Sequence, residues 1–257
     1  MKILGEGSFS IVYENGKDKV LKVEDKAYVG LLRREAKLMI RMSDMDREGR
    51  YVIPVYGYME SDGKGMMEMM RMKISLGEIM ERLDKGMDDF SVINLMRRLI
   101  INLRFIHSFG VCHGDIKPDN VMLSDDYRMV YFVDFGLYKQ YKLGKKHIEY
   151  KDGISPSGTL RYMSKNVNGW LRMTRRDDMI SLGYMMIYLQ RMNLPWQDIG
   201  PMGKRAKYEK VCKMKEGVDL GELCNGCVKG MEDYMRNCYG LGFEEEPDYD
   251  YMLGLFS

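Results

Sequence analysis

The stretch His113-Gly-Asp-Ile-Lys-Pro-Asp-Asn120 puts two acids, a lysine and an asparagine into eight residues. Such a run is either a polar loop or part of a reaction centre whose partners lie elsewhere in the chain. Candidate partners occur near the start. In Leu4-Gly-Glu-Gly-Ser-Phe-Ser-Ile-Val12, Gly5 and Gly7 sit between two strand-like runs. A glycine hairpin there can lie close over phosphates and turn its N–H groups to their anionic oxygens. A strand rather than a helix follows, which argues against a dinucleotide-binding loop. Lys22 ends the apolar run Val20-Leu-Lys22, where an ammonium must find an anion or lose its charge. A phosphate oxygen under the hairpin is one such anion, and Glu35 on the following helical pattern is a candidate to hold the lysine in place. Singly, each has a plain structural explanation: a tight turn, an edge-strand lysine, a solvated glutamate. Their order along the chain is what points to phosphate chemistry.

The elements that must position these residues are of two kinds. Up to about residue 70 the chain is strand-rich. Ile3-Leu4, Ile11–Tyr13, Val20–Val23, Val52–Tyr56 and Met66–Met72 are short β-type runs broken by Gly, Asn and Asp. One helical pattern interrupts them, with Leu31, Leu32, Glu35, Leu38, Met39 and Met42 at helix spacing. After Ser75 the period becomes helical: Ile79 and Leu83, then Val92 to Ile106, Met179–Met192, Lys204–Lys215 and Met231–Tyr239. A small β-rich part joined near Arg71–Ser75 to a larger helical part makes this an α+β chain.

The bulk numbers agree with a globular protein. The 257 residues are 45% hydrophobic and 30% charged, with a net charge of +2, which does not favour a nucleic-acid partner. No apolar run approaches the roughly 18 residues that span a bilayer, and no signal peptide is expected. Five cysteines form no evident disulfide framework, so an intracellular, reducing location is expected. Cys224-Asn-Gly-Cys227 lacks a second close pair and reads as ordinary thiols rather than a zinc site. The 26 methionines are spread along the chain and read as core filler.

Gly5, Gly7, Lys22, Glu35, Asp115, Lys117, Asn120 and Asp134 stand in the order of the protein kinases, which the chain resembles. The resemblance narrows to the casein kinase I family through His113–Asn120, Asp134-Phe-Gly-Leu137, Gly158-Thr-Leu-Arg-Tyr-Met-Ser164 and Arg175-Arg-Asp-Asp-Met-Ile-Ser-Leu-Gly-Tyr184. Leu194-Pro-Trp-Gln197, Lys204-Arg-Ala-Lys-Tyr-Glu209 and Pro247-Asp-Tyr249 extend it over nearly the whole chain, and Ser164-Lys-Asn166 stands where other kinases have Ala-Pro-Glu. The resemblance implies one bilobal kinase domain over 1–257, with the small lobe at 1–72 and the larger at 73–257. It implies ATP and Mg²⁺ as cofactors, and transfer to serine or threonine hydroxyls, for which Lys117 in Asp-Ile-Lys-Pro is the mark.

In that frame Asp115 takes or orients the hydroxyl proton, Lys117 offsets phosphoryl charge, and Thr159 bridges the two. Asn120 and Asp134 hold the metal, their oxygens suiting a hard cation, and Gly136 lets the chain turn after Asp134. Asp178 anchors the catalytic loop. Leu4, Gly5, Gly7, Ser8, Phe9, Val12, Lys22, Glu35 and Met70 contact or support the nucleotide. The hinge stays open: Met67-Glu68 or Met69 with Met72 could supply the gatekeeper, with Met70 in the hinge either way. Arg175 and Lys207 are assigned to substrate anions, so the partners expected of a monomer are proteins with Ser/Thr near acidic or phosphorylated residues. No membrane or specific nucleic acid is expected.

Two positions depart from the kinase pattern. Gly114 replaces the usual arginine, which argues against control through a phosphate on the activation segment. Ser10 replaces the third glycine of the hairpin. These leave an inactive pseudokinase scaffold as the alternative, with a basic binding module behind it. The chain ends soon after Tyr249, without the family's long tail, so tail-based inhibition is not expected.

Overall fold

The computed structural model describes residues 2–7, 10–25 and 27–257. The chain divides into two compact units, residues 1–74 with 122–136, and residues 75–121 with 137–257. The fold class is α+β, as the sequence indicates.

The first unit is a five-stranded antiparallel sheet with one long helix. Its strands are β1 (Ile3–Glu6), β2 (Ser10–Glu14), β3 (Lys19–Glu24), β4 (Val55–Ser61) and β5 (Lys64–Met70), in the order β1-β2-β3-β5-β4. The β4–β5 turn places Asp62 at φ 52° and Gly63 at φ 76°, the left-handed pair that matches hairpin twist. Helix α1 (Val29–Met45) packs on β4 and β5 and buries Leu32, Glu35, Leu38, Met39 and Met42 of its sequence stripe together with Ala36, while Leu31 of that stripe is exposed. The run Val52–Tyr56 becomes strand only from Val55. The reason is Asp46, whose carboxylate accepts the N–H groups of Arg50 (3.0 Å), Tyr51 (2.6 Å) and Val52 (3.0 Å) and ties that backbone into a turn.

Residues 122–136 group with this unit, although the sequence boundary at 72/73 assigns them to the helical part. Hydrogen bonds make the difference. Lys73 N–H donates to the Leu123 carbonyl (2.9 Å), the Tyr131 hydroxyl to the Gly49 carbonyl, and Phe135 N–H to Glu35 (3.1 Å).

The second unit is helical: α2 (Leu76–Met80), α3 (Asp89–Ser108), α4 (Lys165–Asn168), α5 (Arg175–Arg191), α6 (Lys204–Glu216), α7 (Leu220–Cys224), α8 (Met231–Gly240) and α9 (Tyr249–Gly254). Ser75 and Glu78 form a capping box on α2, and Asp88 caps α3. Helix α5 is buried along nearly its whole length and packs on α3, α4 and α8. Such a helix must be apolar all round, and Met179–Leu189 supplies that. Among the described residues no helix is long and apolar enough to cross a membrane.

Candidate active site

The first unit brings most of the nucleotide-side candidates together. Gly5, Val12, Lys22 and Met67 are successive cross-strand partners on β1, β2, β3 and β5. Cross-strand partners share a face, so Val12 and Met67 flank the Lys22 side chain. The Lys22 ammonium, buried under the sheet, donates to both Glu35 oxygens (2.9 and 2.8 Å) and to Asp134 Oδ1 (2.8 Å). Burial alone would lower its pKa, but the carboxylates of Glu35 and Asp134 outweigh it and hold the lysine above its usual value. The cation therefore stays charged at physiological pH.

Asp134 itself sits at φ 63°, a left-handed conformation that costs energy for a side-chain-bearing residue. The sequence assigned that turn to Gly136. The left-handed residue is instead Asp134, and Gly136 keeps the contact open, since a Cβ there would approach Asp134 Oδ1 to 3.3 Å.

Glu24, which sequence reasoning passed over, adds a second tie between β3 and α1. Two residues past Lys22 and so on the same face, it accepts the Leu32 N–H at 3.1 Å. Burial pushes its carboxyl up to about 7. Period two after Lys22 was the available signal.

The remaining nucleotide candidates are placed as follows. Gly7 N–H closes on the Ser10 carbonyl (2.8 Å), and a Cβ on Gly5 would meet nothing within 4 Å. Leu4 is exposed on β1. Ser8 and Phe9 lie outside the described residues. Met67 and Met69 point to the buried side of β5, and Met70, its last residue, points to the other.

The second unit assembles the loop around Asp115. Thr159 donates to Asp115 Oδ1 twice, from N–H and from Oγ1, each at 2.8 Å. The other oxygen meets Lys117 Nζ (3.1 Å) and Asn120 Nδ2 (3.2 Å), and the same amide group also reaches the Asp115 carbonyl (2.9 Å). Asp115 is thus the common partner of Thr159 and Lys117, where the resemblance made Thr159 the bridge. With its NH₂ turned to Asp115, Asn120 keeps its amide oxygen for a cation, a donor that suits a hard metal ion.

Asp178, in the first turn of α5, holds the loop from below. Its carboxylate accepts the N–H groups of His113 (2.6 Å) and Gly114 (3.1 Å), and pairs with His107 Nε2 at 3.0 Å. Gly114 is at φ 86°, and a Cβ there would come within 2.6 Å of the Leu137 carbonyl oxygen. Gly158, at φ 104°, packs as closely on Gly114 itself, where its Cβ would be 2.7 Å from the Gly114 oxygen. Glycine is therefore required at 114, and an arginine would bring the same clashing Cβ. Gly114→Ala is expected to cost roughly 1–3 kcal/mol, read as a lower urea midpoint at unchanged slope. An unchanged midpoint would mean that the loop relaxes freely.

Arg175 is placed otherwise than a substrate-anion role asks. It is buried, donates to the Glu244 carbonyl (2.8 Å), pairs with Glu246 (3.3 Å) and lies over the Tyr141 ring (4.8 Å). Its two terminal nitrogens are thus engaged within the second unit. Lys207 is half-buried on α6.

Comparison with known proteins accords with this geometry. Residues 1–220 match the protein kinase domain family, and the chain belongs to that family. It is 33% identical to Casein kinase I homolog 3 of Schizosaccharomyces pombe over 99% of its own length. The match covers 60% of that relative, so the chain spans less than two thirds of it.

Proposed function

We propose that this chain is an ATP-dependent serine/threonine kinase of casein kinase I type. The observation that carries it is the Asp115 carboxylate, fixed by Thr159 on one oxygen and by Lys117 and Asn120 on the other. A carboxylate so held can accept a hydroxyl proton in a fixed direction, and the adjacent ammonium can offset phosphoryl charge. Lys22, fixed by Glu35 and Asp134, supplies a cation for nucleotide phosphates, and the Cβ side of Gly5 is open. By the kinase resemblance Asp134 and Asn120 would each offer an oxygen to Mg²⁺, which when bound would neutralise charge on the phosphates. Met70 and Leu4 complete the nucleotide's contacts in this reading. Its free thiols, Cys112 and Cys224 among them, fit an intracellular location.

We extend the proposal to substrates with acidic or phosphorylated residues near the Ser/Thr. With Arg175 occupied, the cations for such groups are Lys207 and Arg161. Arg161 stands two residues after Thr159, with its guanidinium 5.2 Å from the Tyr188 ring centre. A neutral, unprimed peptide phosphorylated as fast as a primed one would remove this extension and leave the kinase.

The test is the purified chain with Mg²⁺, labelled ATP and casein, the substrate that the relative's name indicates. Label on serine or threonine supports the proposal. Bound nucleotide without transfer favours a pseudokinase, and neither binding nor transfer overturns the nucleotide assignment too. Glu35→Gln is expected to lower kcat/KM for ATP by roughly 10- to 100-fold, because Lys22 keeps Asp134 but loses its second anchor. Unchanged kinetics would mean that Asp134 alone positions the lysine.

A further inference from the structure

Lys215 is the most anomalous charged group in the second unit. It lies on α6 with 0% exposure, and among the described residues no carboxylate pairs with it. Its Nζ donates instead to two main-chain carbonyls, of Leu160 and Met163, both at 2.7 Å. The rings of Tyr184 and Trp196 face the ammonium at 5.4 and 5.2 Å. A buried lysine without an acid is costly unless its donors are used. Burial lowers its pKa to about 7. Either protonation state keeps two N–H donors for two carbonyls, so the tether does not depend on the charge.

The carbonyls belong to a single turn that begins at Thr159. Tyr162 and Met163 N–H donate to the Thr159 carbonyl (3.0 and 2.9 Å), and Trp196 Nε1 donates to the Arg161 carbonyl (2.7 Å). The carbonyls of residues 159, 160, 161 and 163 are thus each received by a donor, two of them by Lys215. Lys215 is in turn fixed by its place on α6, where Val211 one turn earlier is buried. The turn ends in the two Thr159 bonds to Asp115 Oδ1.

We propose that Lys215 is a positioning residue for phosphoryl transfer, holding the 159–163 turn so that Thr159 orients the Asp115 carboxylate. The proposal rests on the kinase reading above. It assigns Lys215 no contact with nucleotide or substrate. Its loss acts through Thr159 and changes turnover rather than nucleotide binding. Two fully made hydrogen bonds at 2.7 Å into one turn are the rigid support that a preorganised carboxylate needs.

A double-mutant cycle with Thr159→Ala tests it. Lys215→Met, which removes the donors and keeps the length, is expected to lower kcat by roughly 10- to 100-fold. KM for ATP stays within about threefold. In the Thr159→Ala background the same change is expected to lower kcat by a smaller factor than in the wild-type chain, because the hydroxyl bond it works through is already gone and only the N–H bond from residue 159 remains. A merely structural lysine gives multiplicative losses in kcat, and that result overturns the proposal, as does Lys215→Met with wild-type kcat. Should Lys215→Met not fold, Lys215→Gln, whose shorter arm withdraws the donor from the two carbonyls, takes its place under the same criterion. A wild-type chain that transfers no phosphate overturns the kinase reading and this inference together. An active wild type with multiplicative losses overturns this inference alone.

Discussion

Asp115→Asn is expected to lower phosphoryl transfer to casein by roughly 10²- to 10⁴-fold, the range for loss of a positioned general base. The substitution is nearly isosteric, and Thr159 can still donate to the retained oxygen at 115. What changes is the other position. There Lys117 and Asn120 now point donors at 3.1 and 3.2 Å toward an amide that is itself a donor if its oxygen faces Thr159. The group that takes the proton is gone, and the loop's local charge rises by one. Nucleotide binding is expected to stay within about threefold, because Lys22, Glu35 and Asp134 are held by bonds to one another within the first unit. Steady-state kcat and equilibrium nucleotide affinity, measured on the same preparation, check both halves. Transfer that persists at the wild-type rate would remove Asp115 from the reaction. Loss of nucleotide affinity along with transfer would show that the residue acts on binding rather than on the chemical step.

What the sequence made legible follows from how local each signal is. Alternation in Lys19–Glu24 and the helical stripe Leu32, Ala36, Met39, Met42 fix which side of each element is buried. From those faces alone Lys22 and Glu35 can be expected to meet, and they do. Glu24 was equally legible, being one strand period past Lys22, but its partner is a main-chain N–H that no residue pattern advertises. Lys215 shows the same difficulty. It is four residues after Val211 and thus on the buried stripe of α6, yet it sits among Lys204, Lys207, Lys210 and Lys213 and reads as one more solvated base. Nothing local distinguishes it, because its partners are carbonyls more than fifty residues away in the chain.

Backbone conformation was the least legible property. The sequence shows that Gly114 stands where an arginine is usual. It does not show that the backbone there is left-handed and lies against Leu137 and Gly158. The resemblance does not reveal how Arg175 is packed either. A motif gives the order of residues but not which of two adjacent arginines faces inward, and here Arg175 turns to Glu244, Glu246 and Tyr141. Residues 122–136 group with the first unit for a related reason, since a short segment joins whichever neighbour takes its hydrogen bonds.

Asp178→Ala is expected to destabilise the fold by roughly 3–5 kcal/mol, the range for removing one partner of a buried charged network. The carboxylate is 1% exposed and receives three groups: the N–H of His113, the N–H of Gly114 and His107 Nε2. Alanine leaves both main-chain donors buried without an acceptor and opens a polar cavity beside them. His107 does not drift away to compensate, because its other ring nitrogen is held by the Tyr249 hydroxyl at 2.7 Å. For a chain of this size the loss corresponds to a fall in Tm of about 6–20 °C. Below the transition, transfer is also expected to fall, since the backbone at 113 and 114 directly precedes Asp115 and loses its support. Asp178→Asn separates the two effects. It keeps the volume and one acceptor, so it recovers part of the stability, but its NH₂ must face one of the two main-chain donors. Urea unfolding and transfer rates of both variants, measured well below their midpoints, decide the matter. Wild-type stability in Asp178→Ala would mean that water replaces the carboxylate. Lost stability with full transfer would mean that the aspartate secures the helical unit without orienting the catalytic loop.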